Sequence, residues 1–161
     1  MTPRPDSEWI PSPNFRTPRR KPVSCIVIHA TAGGFAGALE TLTAANPDNP
    51  DGRVSAHYLI DMDGSIKHLV HESDEAWHAG VSQWNGQDNV NDFSVGIELV
   101  NANDGKMPYS DAQVAACASL VKPMMADYGV TIGNVVGHLD IAPGRKTDPA
   151  AFPWDQLRAL L

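Results

Sequence analysis

At 161 residues, with 42% hydrophobic and 19% charged side chains, the chain has the length and composition of one globular domain, able to bury about two thirds of its unfolded surface without disulfide help. Lys and Arg number 12 against 19 Asp and Glu, a formal charge of −7, and the one basic stripe is 16–21; nucleic acid is excluded as the main partner. No run approaches the ~20 apolar residues of a membrane span, and residues 1–22 lack the apolar stretch of a secretory signal, so the expectation is a monomer in the cytoplasm of the producing cell, with no membrane insertion.

Residues 1–22 are rich in proline and read as an extended arm that wraps the domain of residues 23–161 through Trp9, Ile10 and Phe15. The apolar run 23–28 predicts a buried strand that ends on His29. Thr31-Ala32-Gly33-Gly34 predicts a tight loop, and 35–45 a helix stopped by Asn46-Pro47. A turn-rich loop is expected over 48–53 and a strand over 54–61, with Asp63-Gly64 marking a hairpin into 65–70. Residues 71–92 lack periodicity and are rich in Trp, His, Asn and Gly, the composition of a substrate-facing loop. The next buried strand is 93–100.

Ser110 and Gln113 form a capping box that opens a helix, with apolar positions from Val114 to Tyr128 and Gly129 as its C-cap. Pro123 lies inside this pattern and predicts a kink or break near Ser119. Residues 131–138 lead into the last strand, 141–149 form a loop, and 154–161 a closing helix. This order predicts an α/β fold, a single domain with a central mixed β-sheet flanked by α-helices. Cys25 and Cys117 sit in apolar runs and read as free, buried thiols, and no C-x-x-C pair offers a cysteine-rich metal site.

Two histidines and an aspartate stand out. His29 and His138 each close an apolar strand, where an unpaired polar side chain is costly, and Asp148 follows ten positions after His138. Three nitrogen or oxygen ligands leave one tetrahedral position open, the mark of a catalytic rather than a structural zinc, and one Zn²⁺ lowers the pKa of water to about 7. Glu98 is the single charge in the apolar run 94–100; it reads either as a general base beside the metal or as a strand residue turned to solvent. Lys146, two residues before Asp148, reads either as an exposed loop lysine or as a cation that stabilises an oxyanion. His68 and His71 read as structural.

These residues sit in segments that resemble the zinc-dependent N-acetylmuramoyl-L-alanine amidases, a family of phage lytic amidases, cell-wall recycling amidases and peptidoglycan recognition proteins. The segments are 26–31, 54–60 with Asp63-Gly64, 76–80, 91–99, 136–138 and 143–149, in the family's order across about 23–155. The resemblance implies hydrolysis of the amide between the muramic-acid lactyl group and L-alanine in peptidoglycan or a muropeptide. It implies His29, His138 and Asp148 as zinc ligands, Glu98, Tyr58 and Lys146 as the groups that orient water and steady the tetrahedral intermediate, and Trp77 and His78 as walls of the substrate groove. Ala30 departs from the residue often found after the first ligand. The compact single-domain layout favours an endolysin that acts on the wall after release; the alternatives are a cytosolic recycling amidase acting on anhydro-muropeptides and a recognition module that binds without cutting.

Overall fold

The computed structural model describes residues 1–46, 49 and 52–161, so most of the loop expected over 48–53 lies outside the described residues. Among the described residues the strands are β1 (Glu8–Trp9), β2 (Phe15–Arg16), β3 (Cys25–Ala30), β4 (Tyr58–Ile60), β5 (Ile66–His68), β6 (Glu75–Ala76), β7 (Gln83–Trp84), β8 (Gln87–Asp88), β9 (Ser94–Leu99) and β10 (Val135–Gly137). The helices are α1 (Phe35–Thr43), α2 (Asp111–Tyr128), α3 (His138–Ile141) and α4 (Trp154–Leu160).

The central sheet runs β1-β5-β4-β9-β3-β10. β4, β9, β3 and β10 are mutually parallel, and β5 returns antiparallel to β4 through the Asp63-Gly64 turn, where Gly64 takes φ +85°. β3 is buried along its whole length and β9 nearly so, which explains their almost continuous apolar sequence: a parallel strand covered on both faces has no polar side to show.

Strand alternation sorts the two faces. Ile26, Ile28, Ile60, Ile97 and Leu99 pack under Val114, Cys117, Leu120, Val121 and Met124 of α2. Val27, Cys25 and Leu59 face the other way, toward α1 and the segment around Ala79, Val90 and Phe93. His29 and Glu98, one step on from Ile28 and Ile97, fall on this second face.

The capping box holds as the sequence predicts. Ser110 Oγ accepts from Gln113 N at 3.0 Å, Gln113 Oε1 accepts from Ser110 N at 3.1 Å, and Gly129 ends the helix at φ +67°. The helix is not broken near Ser119: α2 runs on through Pro123 to Tyr128. Ser119, whose carbonyl Pro123 leaves without an amide donor, lies on the exposed side where water can serve it, while Leu120, Val121 and Met124 hold the helix to the sheet. The last strand also ends one residue sooner than the pattern suggests: His138 opens α3 rather than closing β10, and Gly137 N donates to Asp140 Oδ2 at 2.8 Å.

The N-terminal residues are more ordered than their composition suggests. β1 adds a parallel edge strand to β5, β2 pairs with β6, and Arg19 is inserted among the carbonyls of Glu72, Asp74 and Ser94. Trp9 stacks on His71 with ring centroids 4.4 Å apart, so His68 and His71 belong to an aromatic cluster with Trp9 and Tyr58.

Arg4 clamps this end. It donates through Nε and Nη2 to both oxygens of Glu72, each at 2.7 Å, while the Tyr58 and Tyr128 hydroxyls donate to the same carboxylate at 2.7 and 2.6 Å. Burial alone would raise the Glu72 pKa, but the hydrogen bonds from Arg4, Tyr128 and Tyr58 outweigh it and hold the pKa below the ordinary glutamate value. Arg4→Ala leaves a buried carboxylate without its cation and is expected to cost about 3 kcal/mol in urea unfolding at pH 7. Because the folded pKa is depressed, that cost shrinks as pH falls through it and Glu72 becomes neutral.

Candidate active site and metal centre

Three adjacent parallel strands deliver the site from their carboxyl ends, the position where open α/β sheets bind ligands. His29 on β3 lies beside Glu98 on β9 as direct register partners. β10 pairs on the other side of β3 and hands the chain to His138 at the start of α3. The turn after α3 brings back Asp148, whose carbonyl accepts from Leu139 N at 2.8 Å.

The three donors converge. His29 Nδ1 and His138 Nδ1 are 3.0 Å apart, Asp148 Oδ2 is 3.1 Å from His138 Nδ1 and 3.4 Å from His29 Nδ1, and all three residues are buried. A tetrahedral ion with bonds near 2.0 Å has ligand atoms about 3.3 Å apart. The other ring nitrogens define the proton positions. His138 Nε2 lies 3.1 Å from the Ala79 carbonyl, which can only accept, so its N–H is there and the Nδ1 lone pair faces the site. Burial, against a hydrogen bond with Asp148, pushes the His29 pKa down to about 4, so this imidazole is neutral near pH 7. Two imidazoles and a carboxylate packed at these distances form a donor set that fits a divalent cation.

Glu98 receives no hydrogen bond from the described residues, and its Oε2 is sealed from solvent without a partner. Burial first, and then the charge of Asp148, push its pKa up to about 8, while Lys146 pulls the other way. A carboxyl poised near neutrality beside a cation site suits a general base. Lys146 lines the same cavity and forms no ion pair with any described residue, so its ammonium is available to a substrate oxygen. The cavity is about 590 Å³, within the ordinary range for a ligand site. Its lining includes small residues of α1 and the loop before it (Gly33, Gly34, Gly37, Ala38), together with Lys146, Thr147 and Asn103.

Two expected site residues lie elsewhere. Tyr58 is the register partner of Ile97, one residue off Glu98, so its side chain points to the α2 face, where its hydroxyl donates to Glu72. It cannot steady an oxyanion in this cavity. Trp77 is absent from the cavity wall; its amide donates to Ser55 Oγ at 2.8 Å, and the Arg53 guanidinium stands 5.4 Å over its ring. His78 does reach the cavity, but both ring nitrogens are engaged, with His29 Nε2 at 2.9 Å and Ser94 Oγ at 3.1 Å.

The segment 71–92 is structured, holding β6, β7 and β8, and it reaches the cavity through His78. One contributor went unread: Arg145, whose Nη2 donates to the carbonyls of Ala79 and Val81 at 2.6 Å each. It fixes the same Ala79 carbonyl that orients His138. Its place next to Lys146 was the available signal.

Residues 19–151 match the family model described as N-acetylmuramoyl-L-alanine amidase. The chain belongs to this amidase family. It is 38% identical to the 1,6-anhydro-N-acetylmuramyl-L-alanine amidase AmpD of Salmonella typhimurium strain SL1344, over 98% of this chain and 94% of that protein. The crystal structure of a selenomethionine derivative of AmpD superimposes with a TM-score of 0.84 at 35% identity, covering 96% of this chain and 94% of that one. The Escherichia coli amidase AmiD, solved in complex with the substrate anhydro-N-acetylmuramic acid-L-Ala-D-γ-Glu-L-Lys, gives 0.77 at 39% identity, covering 86% of this chain and 57% of AmiD. The amidase is a single α/β domain with the family's central mixed sheet, and it hydrolyses the bond between N-acetylmuramic acid and L-alanine. No helix among the described residues is long and apolar enough to cross a membrane.

Proposed function

We propose that this amidase is zinc-dependent and acts on soluble 1,6-anhydro-muropeptides, as a recycling enzyme, rather than on the intact wall. Zinc is supported by the donor set, two imidazole nitrogens and one carboxylate oxygen at tetrahedral-edge spacing. The substrate class is supported by similarity to AmpD, named for the 1,6-anhydro sugar, along nearly the whole of both chains. The endolysin reading has only the single-domain layout behind it.

His29, His138 and Asp148 would hold the ion. When bound, zinc supplies Lewis acidity toward the scissile carbonyl and an acidified water. Glu98, on the adjacent strand, takes the proton of the attacking water and returns it to the departing alanine nitrogen. Lys146 donates to the oxygen that develops negative charge. Arg145 and Ala79 keep the His138 ring in place from outside the reacting atoms.

Lys146→Ala is expected to keep its zinc and lose roughly 100-fold or more in turnover, the usual cost of removing one oxyanion donor. Elemental analysis alongside release of the L-alanyl peptide checks both halves, and loss of zinc from this variant would contradict the role. For the substrate class, the decisive comparison is release of stem peptide from soluble anhydro-muropeptide against release from intact sacculi. Cleavage of the soluble fragment with sacculi left whole supports recycling; efficient solubilisation of sacculi supports the endolysin reading instead.

A further inference from the structure

His78 is buried in the cover over the sheet, far from α2 and close to the strand that carries Glu98. Its ring bridges two fixed points: Nδ1 lies 2.9 Å from His29 Nε2 and Nε2 lies 3.1 Å from Ser94 Oγ. The ring rests against Gly96, where a Cβ would stand 2.4 Å from Cγ and 2.5 Å from Cδ2 of the imidazole. Real carbon contacts do not come so close, so a side chain at 96 would expel the ring.

Gly96 is itself pinned. Its N–H donates to His57 Nδ1 at 3.0 Å, its carbonyl accepts from His57 N at 3.0 Å, and its strand neighbour across the sheet is Val27. On the far side His57 Nε2 meets the Asp74 carbonyl and the Arg19 guanidinium, each at 3.2 Å. The backbone of 78–79 is held in turn by Asn91 Oδ1, which accepts from both amides at 3.1 and 2.8 Å. Ring and floor are therefore built around one position.

Hydrogen-bond direction gives this position a purpose. If the His29 Nδ1 lone pair is to face the donor set, its proton must sit on Nε2, and that N–H needs an acceptor. His78 Nδ1 is that acceptor. The His78 proton then resides on Nε2, which donates to Ser94 Oγ, so the chain Ser94–His78–His29 is self-consistent in a single tautomer. His138 reaches the same state through the Ala79 carbonyl.

We infer that His78 is a positioning residue for the metal: it locks His29 in the Nε2–H tautomer, and Gly96 is the vacancy that admits its ring. This rests on the zinc reading above. His78 still lines the cavity, as the family resemblance implies, but neither ring nitrogen is left to hydrogen-bond a substrate.

The test is zinc affinity of the metal-stripped full chain, measured by competition with a chromophoric chelator, together with ¹⁵N shifts of the His29 ring. His78→Leu keeps the volume and removes the acceptor; zinc binding should weaken roughly 10- to 100-fold, the usual worth of such an outer partner. The His29 ring should change from one tautomer to a mixture. His78→Asn, whose Oδ1 falls near the lost Nδ1, should recover most of the affinity. Gly96→Ala should lose affinity as His78→Leu does, and the two together should cost little more than either alone.

Zinc affinity and His29 shifts in His78→Leu that equal the wild type would overturn this inference while leaving the zinc reading intact. Failure of the wild type to bind zinc would overturn the zinc reading itself. Should His78→Leu not fold, His78→Asn and Gly96→Ala decide by the same two readouts: wild-type values in Gly96→Ala reject the inference, and loss there with recovery in His78→Asn upholds it.

Discussion

Asp148→Ala is expected to strip the protein of zinc after dialysis and to leave almost no release of L-alanyl peptide. The carboxylate is the one anionic donor of the set, within 3.1 and 3.4 Å of the two imidazole nitrogens. Removing it leaves two neutral ligands, fewer than the three protein ligands of a catalytic zinc site. Even an outer partner of a ligand is worth roughly 10- to 100-fold in affinity, so a direct ligand should exceed about 100-fold. Neither thiol can substitute, because burial pushes the Cys25 and Cys117 pKa values up to about 12 and keeps both protonated. Elemental analysis with a peptide-release assay makes the check, and retention of stoichiometric zinc would contradict the assignment.

Glu98→Gln is expected to keep zinc and to lower turnover by roughly 10²- to 10⁴-fold, the range for a lost general base. The same change should stabilise the metal-free protein at alkaline pH. Burial, then Asp148, raise the folded pKa from 4.5 to about 8, so the folded chain holds this proton more tightly than the unfolded one. Stability therefore falls as pH rises from about 4.5 to about 8, where the carboxylate must ionise in a site that gives it no donor. Gln stays neutral throughout. The metal-free variant should melt higher than the wild type at pH 8, with little difference at pH 4. Thermal scans at the two pH values make the comparison; an equal offset at both would show that Glu98 carries no such strain. A residue that weakens the empty scaffold and serves the reaction is the expected trade at a working site.

Of the candidate metal donors, His29 was legible because a polar group that closes an apolar strand is costly, and cost is readable without coordinates; Asp148 lies in a loop and was marked only by its spacing after His138 and by the family resemblance. Glu98 was legible for the same reason, as the single charge in a buried run. Tyr58 was not, because its face depends on register across strands. β4 pairs Leu59, not Tyr58, with Glu98, and a shift of one residue reverses the side chain. The pattern of apolar residues around 58 is satisfied on either face, so nothing in the local sequence distinguishes them.

His78 and Arg145 make contacts with residues dozens of positions away, from two different segments whose compositions resemble exposed loops. An arm packed on the domain was expected over residues 1–22, but not its anchors, which are largely backbone groups with Arg19 and Arg4, while Trp9 and Phe15 stay exposed. The wall formed by α1 is made of small residues, which mark a cavity by what they leave empty.

Zinc K-edge absorption spectroscopy of the loaded protein addresses the central claim most directly. One ion per chain, with two imidazoles and oxygen donors near 2.0–2.1 Å, is the result expected from His29, His138 and Asp148. A sulfur shell near 2.3 Å, or a shell without imidazole, would place the ion elsewhere and contradict the account.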